Sequence, residues 1–90
     1  MDLKLAHEYS SHHKKIISKS KVCGCFYCMN IIALNEIDEW IDCGQTALCP
    51  RCGVDSLLPG FWGMSDVEFL REMNCYWFKL STRLGYNNLD

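Results

Sequence analysis

The fold is decided by two cysteine turns, Cys25-Phe26-Tyr27-Cys28 and Cys49-Pro50-Arg51-Cys52, the second followed by Gly53. Residues 29–48 separate them, a spacing within the range typical of zinc sites made from two C-x-x-C pairs. Two residues between cysteines allow one tight turn to direct both sulfurs at a common point. Pro50 and Gly53 favour the second turn because proline fixes φ and glycine accepts a left-handed backbone. We therefore predict a structural Zn²⁺ site with Cys25, Cys28, Cys49 and Cys52 as ligands.

Three further cysteines lie outside these pairs. Cys23 could replace Cys25 as a ligand with a wider loop to Cys28, although the two-residue spacing is the commoner chelate. Cys43 is predicted to be a small apolar residue and not a ligand. Cys75 is expected on a helix among charges of both signs, which favours an inert thiol over a reactive thiolate.

Composition is that of a small globular protein. The 90 residues are 49% hydrophobic and 22% charged, which predicts one domain over residues 1–90. No apolar run is long enough to span a membrane, and the first 22 residues resemble no secretory signal. We therefore expect a cytoplasmic, reducing setting, where paired cysteines bind metals more often than they form disulfides. A metal would also supply folding free energy that a small core lacks.

The predicted fold class is α+β. A zinc-ribbon or zinc-knuckle core with short strands and one short helix is expected over residues 23–60. An N-terminal helix within residues 1–22 and a C-terminal helix over residues 64–85 are expected to flank it.

The N-terminal helix is predicted over residues 2–20, with Asp2 as its N-cap. One broad face is apolar at helical spacing. Its members are Leu3, Ala6, Tyr9, His13, Ile16 and Ile17. His13 is expected to be a hydrogen-bonded core histidine and His12 to be solvated. Because the two side chains point about 100° apart on a helix, they do not form a catalytic pair.

The short helix in the core is predicted after Asn35, which would cap it. Ile37, Trp40 and Ile41 would form its buried stripe, and Gly44 would end it. A β-branched stretch precedes it at residues 29–33, and a second extended segment is expected at residues 46–48.

The C-terminal helix is predicted from a capping box of Ser65 and Glu68, a hydrophobic staple between Met64 and Phe69, and Gly85 as its terminator. Its apolar face is predicted to contain Val67, Leu70, Met73, Trp77, Leu80 and Leu84. Such a face should pack on the cysteine-rich core.

Three segments carry a family resemblance: CGCFYC at 23–28, EWID at 39–42 and TALCPRCGVDS at 46–56. They resemble a family of short, uncharacterised bacterial cytoplasmic proteins over the central third of the chain. The resemblance implies a zinc-ribbon-like core and a cytoplasmic setting, with no activity to transfer. The cysteine pairs are also similar to those of rubredoxins, but Met29 stands where rubredoxins prefer glycine.

The predicted metal site has all its coordination positions filled by protein ligands, and this limits the functions that we expect. Four sulfur ligands leave no position for water or substrate, so the predicted role is non-catalytic. Phe61 and Trp62 lie in a Pro/Gly-flanked loop that does not easily bury two large aromatics, which makes them the candidate contact for a protein partner. We therefore predict an interaction module, acting as a regulator or an inhibitor, including an inhibitor of the immunity type.

Two alternative functions remain open. A nucleic-acid-binding zinc ribbon would use the basic residues Lys14, Lys15, Lys19, Lys21 and Arg51. The formal net charge of −2 disfavours this alternative, because a polyanion is bound through an excess of positive charge. The second alternative is a rubredoxin-like iron electron carrier.

Overall fold

Short strands and helices surround the two cysteine turns. The computed structural model describes residues 2–79. Its helices are α1 (Leu3–His7), α2 (Lys14–Ile17) and α3 (Val67–Asn74), with 3₁₀ turns at Glu8–Ser10 and Leu34–Glu36 and a π-helical turn at Cys75–Lys79. Its strands are β1 (Val22–Cys25), β2 (Ile31–Ala33), β3 (Trp40–Ile41), β4 (Thr46–Ala47) and β5 (Leu57–Pro59). This arrangement confirms the predicted α+β class.

The first cysteine turn begins at the end of β1, which is the central strand of a three-stranded antiparallel sheet of order β2-β1-β5. Cys23 lies opposite Ile32 and Pro59, and Cys25 lies opposite Leu57. A separate antiparallel ribbon pairs β3 with β4. The second cysteine turn directly follows this ribbon, so the two turns belong to different sheets.

Alternation along the strands creates two apolar clusters, because successive side chains point to opposite faces of a sheet. The inner cluster, which includes the cysteine turns, contains Ile17, Cys23, Cys25, Ile32, Ala47, Cys49 and Leu57. The outer cluster contains Ala6, Phe26, Leu58, Met64, Leu70 and Met73. The sheet therefore separates the cysteine side from the side on which α1 and α3 pack.

Helix α3 approaches the sheet closely at Gly24. A Cβ atom on Gly24 would lie 2.8 Å from Leu70 Cδ1 and 3.0 Å from the Cα of Ser65. A larger residue at this position would push α3 away from β1. The absence of a side chain on Gly24 therefore brings α3 next to the first cysteine turn.

The single N-terminal helix predicted over residues 2–20 is wrong. Asp2 does cap α1, since its Oδ1 accepts the Lys4 N–H at 3.1 Å. The helix is interrupted at His12, whose φ is +48°. Tertiary bonds replace helical ones here: the His12 N–H donates to Thr46 Oγ1 at 2.7 Å and the Lys14 N–H to the Gln45 carbonyl at 3.0 Å.

The short helix predicted after Asn35 is also wrong. Strand pairing of Trp40 with Ala47 and of Ile41 with Thr46 takes its place. Ile37 and Trp40 do pack against the inner cluster, but Ile41 is exposed. The hairpin turn has left-handed backbone at Asp42, Cys43 and Gly44.

The C-terminal helix begins later than predicted. Asp66, and not Ser65, occupies the N-cap position, and the first helical bond runs from the Leu70 N–H to the Asp66 carbonyl at 2.9 Å. The capping box is therefore wrong, because Ser65 belongs to the preceding turn. Val67 is exposed, whereas Leu70 and Met73 are buried as predicted. The predicted positions Leu80, Leu84 and Gly85 lie outside the described residues.

Candidate metal centre

The structure brings the four predicted cysteines together. One sulfur from each of Cys25, Cys28, Cys49 and Cys52 lies within 4.8 Å of the others. The Sγ atoms of Cys25 and Cys52 are 3.7 Å apart, and so are those of Cys28 and Cys49. A tetrahedron of sulfurs with metal–sulfur bonds of about 2.3 Å has edges of about 3.8 Å. The four cysteines therefore form a potential metal site, and the two sulfur–sulfur distances of 3.7 Å match the edge of a tetrahedral tetrathiolate.

The two turns have the same backbone geometry. The Met29 N–H donates to the Cys25 carbonyl at 2.9 Å, and the Gly53 N–H donates to the Cys49 carbonyl at 2.8 Å. The donor residue is left-handed in both turns, with φ of +68° at Met29 and +78° at Gly53. Gly53 thus has the role predicted for it, and Met29 adopts the same conformation at greater steric cost.

Hydrogen-bond donors surround the sulfurs. The backbone N–H groups of Cys28 and Arg51 donate to the Sγ atoms of Cys25 and Cys49, each at 3.4 Å. The first turn also receives contacts from outside it: Ser56 Oγ lies 3.0 Å from Cys25 Sγ. Asn30 Nδ2 donates to Cys28 Sγ at 3.2 Å. Donors of this kind orient metal ligands and stabilise the negative charge of thiolates.

Burial and hydrogen bonding act in opposite directions on the thiols. Burial raises the pKa of Cys25, against donors from Cys28, Ser56 and Tyr27. Burial also raises the pKa of Cys52, well above its usual range. Burial also raises the pKa of Cys28, but hydrogen bonds with Asn30 and with the Cys25 and Cys49 sulfurs outweigh it and lower the pKa to about 7. Four thiolates in this volume require a cation, and sulfur ligands select soft tetrahedral metals.

The remaining cysteines lie outside the site. Cys23 is buried on β1, and its burial raises the pKa of the thiol to about 11. The cluster of four sulfurs contains Cys25 and not Cys23. Cys43 lies outside the cluster, as predicted, and is exposed in the β3–β4 turn. Cys75 is exposed on the π-helical turn.

Sequence reasoning missed the residues that support the first turn. Asn30 lies two positions after Cys28, so its proximity to a sulfur could have been inferred from spacing. Ser56 and Asn74 reach the turn from distant segments. No local pattern indicates such contacts, since only the packing of β5 and α3 brings them into place.

The aromatic loop, Phe61 and Trp62, lies apart from the cysteines. Trp62 is 62% exposed, while Phe61 is half-buried. The Trp62 ring centroid lies 5.6 Å from that of Tyr9 and 5.9 Å from that of Phe61. Trp62 is left-handed, with φ of +55°, and Gly63 follows with φ of +78°. The loop therefore presents a large apolar side chain to solvent from a strained backbone.

Fold and site together define an α+β protein built around a potential four-cysteine metal centre. Comparison with protein-family models, curated proteins and solved structures gives no match to this chain. The family resemblance of its central third stays a prediction. Across residues 2–79, no helix combines the length and apolar character that crossing a membrane requires.

Proposed function

We propose that this chain is a zinc-stabilised, non-catalytic module that binds another protein. The observation that carries the proposal is the cluster of four sulfurs within 4.8 Å of one another, with 3.7 Å between the Sγ atoms of Cys25 and Cys52 and of Cys28 and Cys49. Zinc suits this donor set because it prefers four sulfurs in a tetrahedron. With every position filled by sulfur, the ion would have a structural role and no substrate could reach it.

Zinc would connect the three-stranded sheet to the segment that follows the β3–β4 ribbon. Cys25 ends β1 in the three-stranded sheet, whereas Cys49 and Cys52 follow the β3–β4 ribbon. The ribbon has two short strands, and a two-stranded hairpin is marginal by itself in water. A structural zinc site contributes on the order of 10 kcal/mol to folding, which is comparable to the whole stability of a small domain.

The aromatic loop is the proposed contact for the partner. Trp62 combines exposure with a backbone conformation that costs free energy for a residue with a side chain. Exposed tryptophans supported by neighbouring aromatics are typical of residues that dominate protein interfaces. A module of this kind would act as a regulator or inhibitor of its partner.

Two of the five basic residues considered for nucleic-acid binding have partners within the chain. Lys14 Nζ lies 5.6 Å from the centroid of the Trp40 ring. Arg51 Nη2 lies 3.1 Å from Glu36 Oε1. The ion pair with Glu36 reduces the positive charge that Arg51 offers to phosphates, and the net charge of −2 acts in the same direction. A protein partner is therefore favoured over a nucleic acid.

The metal assignment is tested by elemental analysis of protein prepared without added metal. We expect one zinc per chain, lost in a Cys49→Ser, Cys52→Ser double variant. Cys23→Ser is the matched control, because it removes a buried thiol outside the cluster. A stoichiometry well below one in the wild type, or full retention in the double variant, would contradict the assignment.

The partner assignment is tested by affinity capture with wild-type and Trp62→Ala baits, followed by binding of the purified captured protein. Ile41→Ala is the control, since Ile41 is an exposed apolar residue on the distant ribbon. Binding should be lost in Trp62→Ala, be kept in Ile41→Ala and depend little on salt. Steep salt dependence, and loss of binding on neutralising Lys15, Lys19 and Lys21, would favour nucleic acid instead.

A further inference from the structure

A side chain of α3 holds the first cysteine turn from outside. Asn74 Nδ2 donates to the Phe26 carbonyl at 2.9 Å and to the Tyr27 carbonyl at 3.1 Å. Both carbonyls lie between Cys25 and Cys28. Asn74 is the last residue of α3, at the point where the chain changes from α-helical to π-helical geometry. Such changes in helix geometry are frequent at functional sites.

Peptide geometry transmits this contact to the sulfurs. In a trans peptide the C=O and the following N–H point in opposite directions, and the described residues contain no cis peptide. The Phe26 carbonyl shares its peptide with the Tyr27 N–H, and the Tyr27 carbonyl shares its peptide with the Cys28 N–H. Holding both carbonyls towards Asn74 therefore turns both N–H groups towards the site. Of these two groups, the Cys28 N–H donates to Cys25 Sγ at 3.4 Å.

We propose that Asn74 is a positioning residue of the metal centre and that it couples metal binding to the packing of α3. The proposal rests on the proposed function, because it takes the four-cysteine site to bind zinc. Asn74 acts through two peptide groups, unlike Ser56 and Asn30, which contact the sulfurs directly. Because coupling between two equilibria is reciprocal, zinc binding should stabilise α3 to the same extent as α3 stabilises zinc binding.

Aromatic packing extends the same coupling beyond Asn74. The Phe78 ring centroid lies 5.6 Å from that of Phe26 and 4.9 Å from that of Tyr27. Phe26 and Tyr27 are the two residues between the cysteines of the first turn. Ordering that turn therefore orders the surface on which α3 and the π-helical turn pack.

The test measures zinc affinity by chelator competition in wild type and in Asn74→Ala. We expect binding to weaken about tenfold, the lower end of the effect of removing a residue that supports metal ligands. Ser10→Ala is the matched control: Ser10 is buried, and its hydroxyl donates to the His7 carbonyl at 2.6 Å in the N-terminal segment. Because folding and metal binding are coupled, Ser10→Ala should lose zinc affinity only as far as it loses stability, and clearly less than Asn74→Ala does.

Two further measurements separate positioning from general stability. The sulfur-to-metal charge-transfer bands of the Co²⁺-substituted protein should shift in Asn74→Ala but not in Ser10→Ala. Zinc should slow amide hydrogen exchange in residues 70–74 of the wild type, and this slowing should be smaller in Asn74→Ala. Asn74→Gln keeps the amide but displaces it by one methylene, so it provides a milder variant with an intermediate effect if Asn74→Ala does not fold.

Each outcome distinguishes the inference from the proposed function. If the wild type binds no zinc, the proposed function fails. If the wild type binds zinc, and Asn74→Ala, or Asn74→Gln where alanine does not fold, shows unchanged affinity and cobalt bands, then Asn74 is no positioning residue. An equal loss of zinc affinity in Ser10→Ala would likewise overturn the inference, because it would trace the effect to stability alone.

Discussion

Replacing His13 tests how the N-terminal segment is attached to the core. His13 is 2% exposed, with Nδ1 2.6 Å from the Tyr9 carbonyl oxygen and Nε2 3.0 Å from the Ala47 backbone nitrogen. The Ala47 N–H can only donate, so Nε2 accepts, and the neutral imidazole carries its proton on Nδ1 and donates it to Tyr9. His13→Ala removes both bonds and leaves a backbone N–H and a carbonyl without their partner.

The size of the stability loss in His13→Ala follows from the two backbone groups that lose their partner. An unsatisfied buried polar group costs about 1–3 kcal/mol, so the variant should lose about 2–6 kcal/mol of the free energy of unfolding. For a domain of this size each 1 kcal/mol lowers the melting temperature by about 4–8 °C, which predicts a decrease of roughly 10 °C or more. Thermal and urea unfolding of the zinc-loaded protein measure this loss of stability. A decrease of only about 2 °C would refute the hydrogen-bond argument.

The same histidine predicts a pH dependence. Burial lowers the pKa of His13 below the ordinary value of 6.5, against the Tyr9 hydrogen bond, which raises it. Below pH 6.5 the unfolded chain therefore binds this proton before the folded one does, and the free energy of unfolding falls as the pH falls. The stability difference between wild type and His13→Ala should be largest above pH 6.5 and shrink below it. A difference that is constant between about pH 5 and pH 8 would contradict the assigned protonation state.

Three other outcomes are expected. Strong chelation should remove most of the ordered structure seen by far-UV circular dichroism, because a metal site contributes on the order of 10 kcal/mol to folding, and an unchanged melting temperature would contradict this. Gly60→Ala should lower the free energy of unfolding by about 1–3 kcal/mol, measured as a lower urea midpoint, since its Cβ would lie 2.5 Å from the Val22 carbonyl oxygen and 2.9 Å from Ser20 Oγ; an unchanged midpoint would mean that the loop shifts freely. Protein purified from source cells should be colourless, whereas a red product with near-stoichiometric iron would indicate an electron carrier.

Local chemistry explains which features could be predicted from the sequence. The spacing of the cysteine pairs indicated which sulfurs would meet, since two intervening residues define a turn in any surroundings. The glycine at position 53 and the cap at Asp2 were predictable for the same reason, because each depends on its immediate neighbours. The burial of His13 followed from its place among apolar residues, although its partners did not.

The two helical predictions that are wrong concern segments where long-range hydrogen bonds compete with local ones. Residues 2–20 have helical periodicity, but Thr46, Gln45 and Ala47 offer bonds that interrupt the helix at His12. Residues 36–41 have a plausible helical stripe, yet pairing with β4 makes part of them a strand. Helical propensity amounts to less than 1 kcal/mol per residue, so a few tertiary bonds outweigh it.

Residue spacing along the chain identifies the four candidate metal ligands, because chelation by C-x-x-C depends on residues that are adjacent in the chain. The groups that surround these four cysteines are set by tertiary packing. Ser56 reaches the first cysteine turn from just before β5, and Asn74 reaches it from the end of α3. Cys23 lies within β1, opposite Ile32 and Pro59, and outside the cluster of four sulfurs. These choices depend on which surfaces pack together, and packing is a property of the whole chain that no short stretch of sequence specifies.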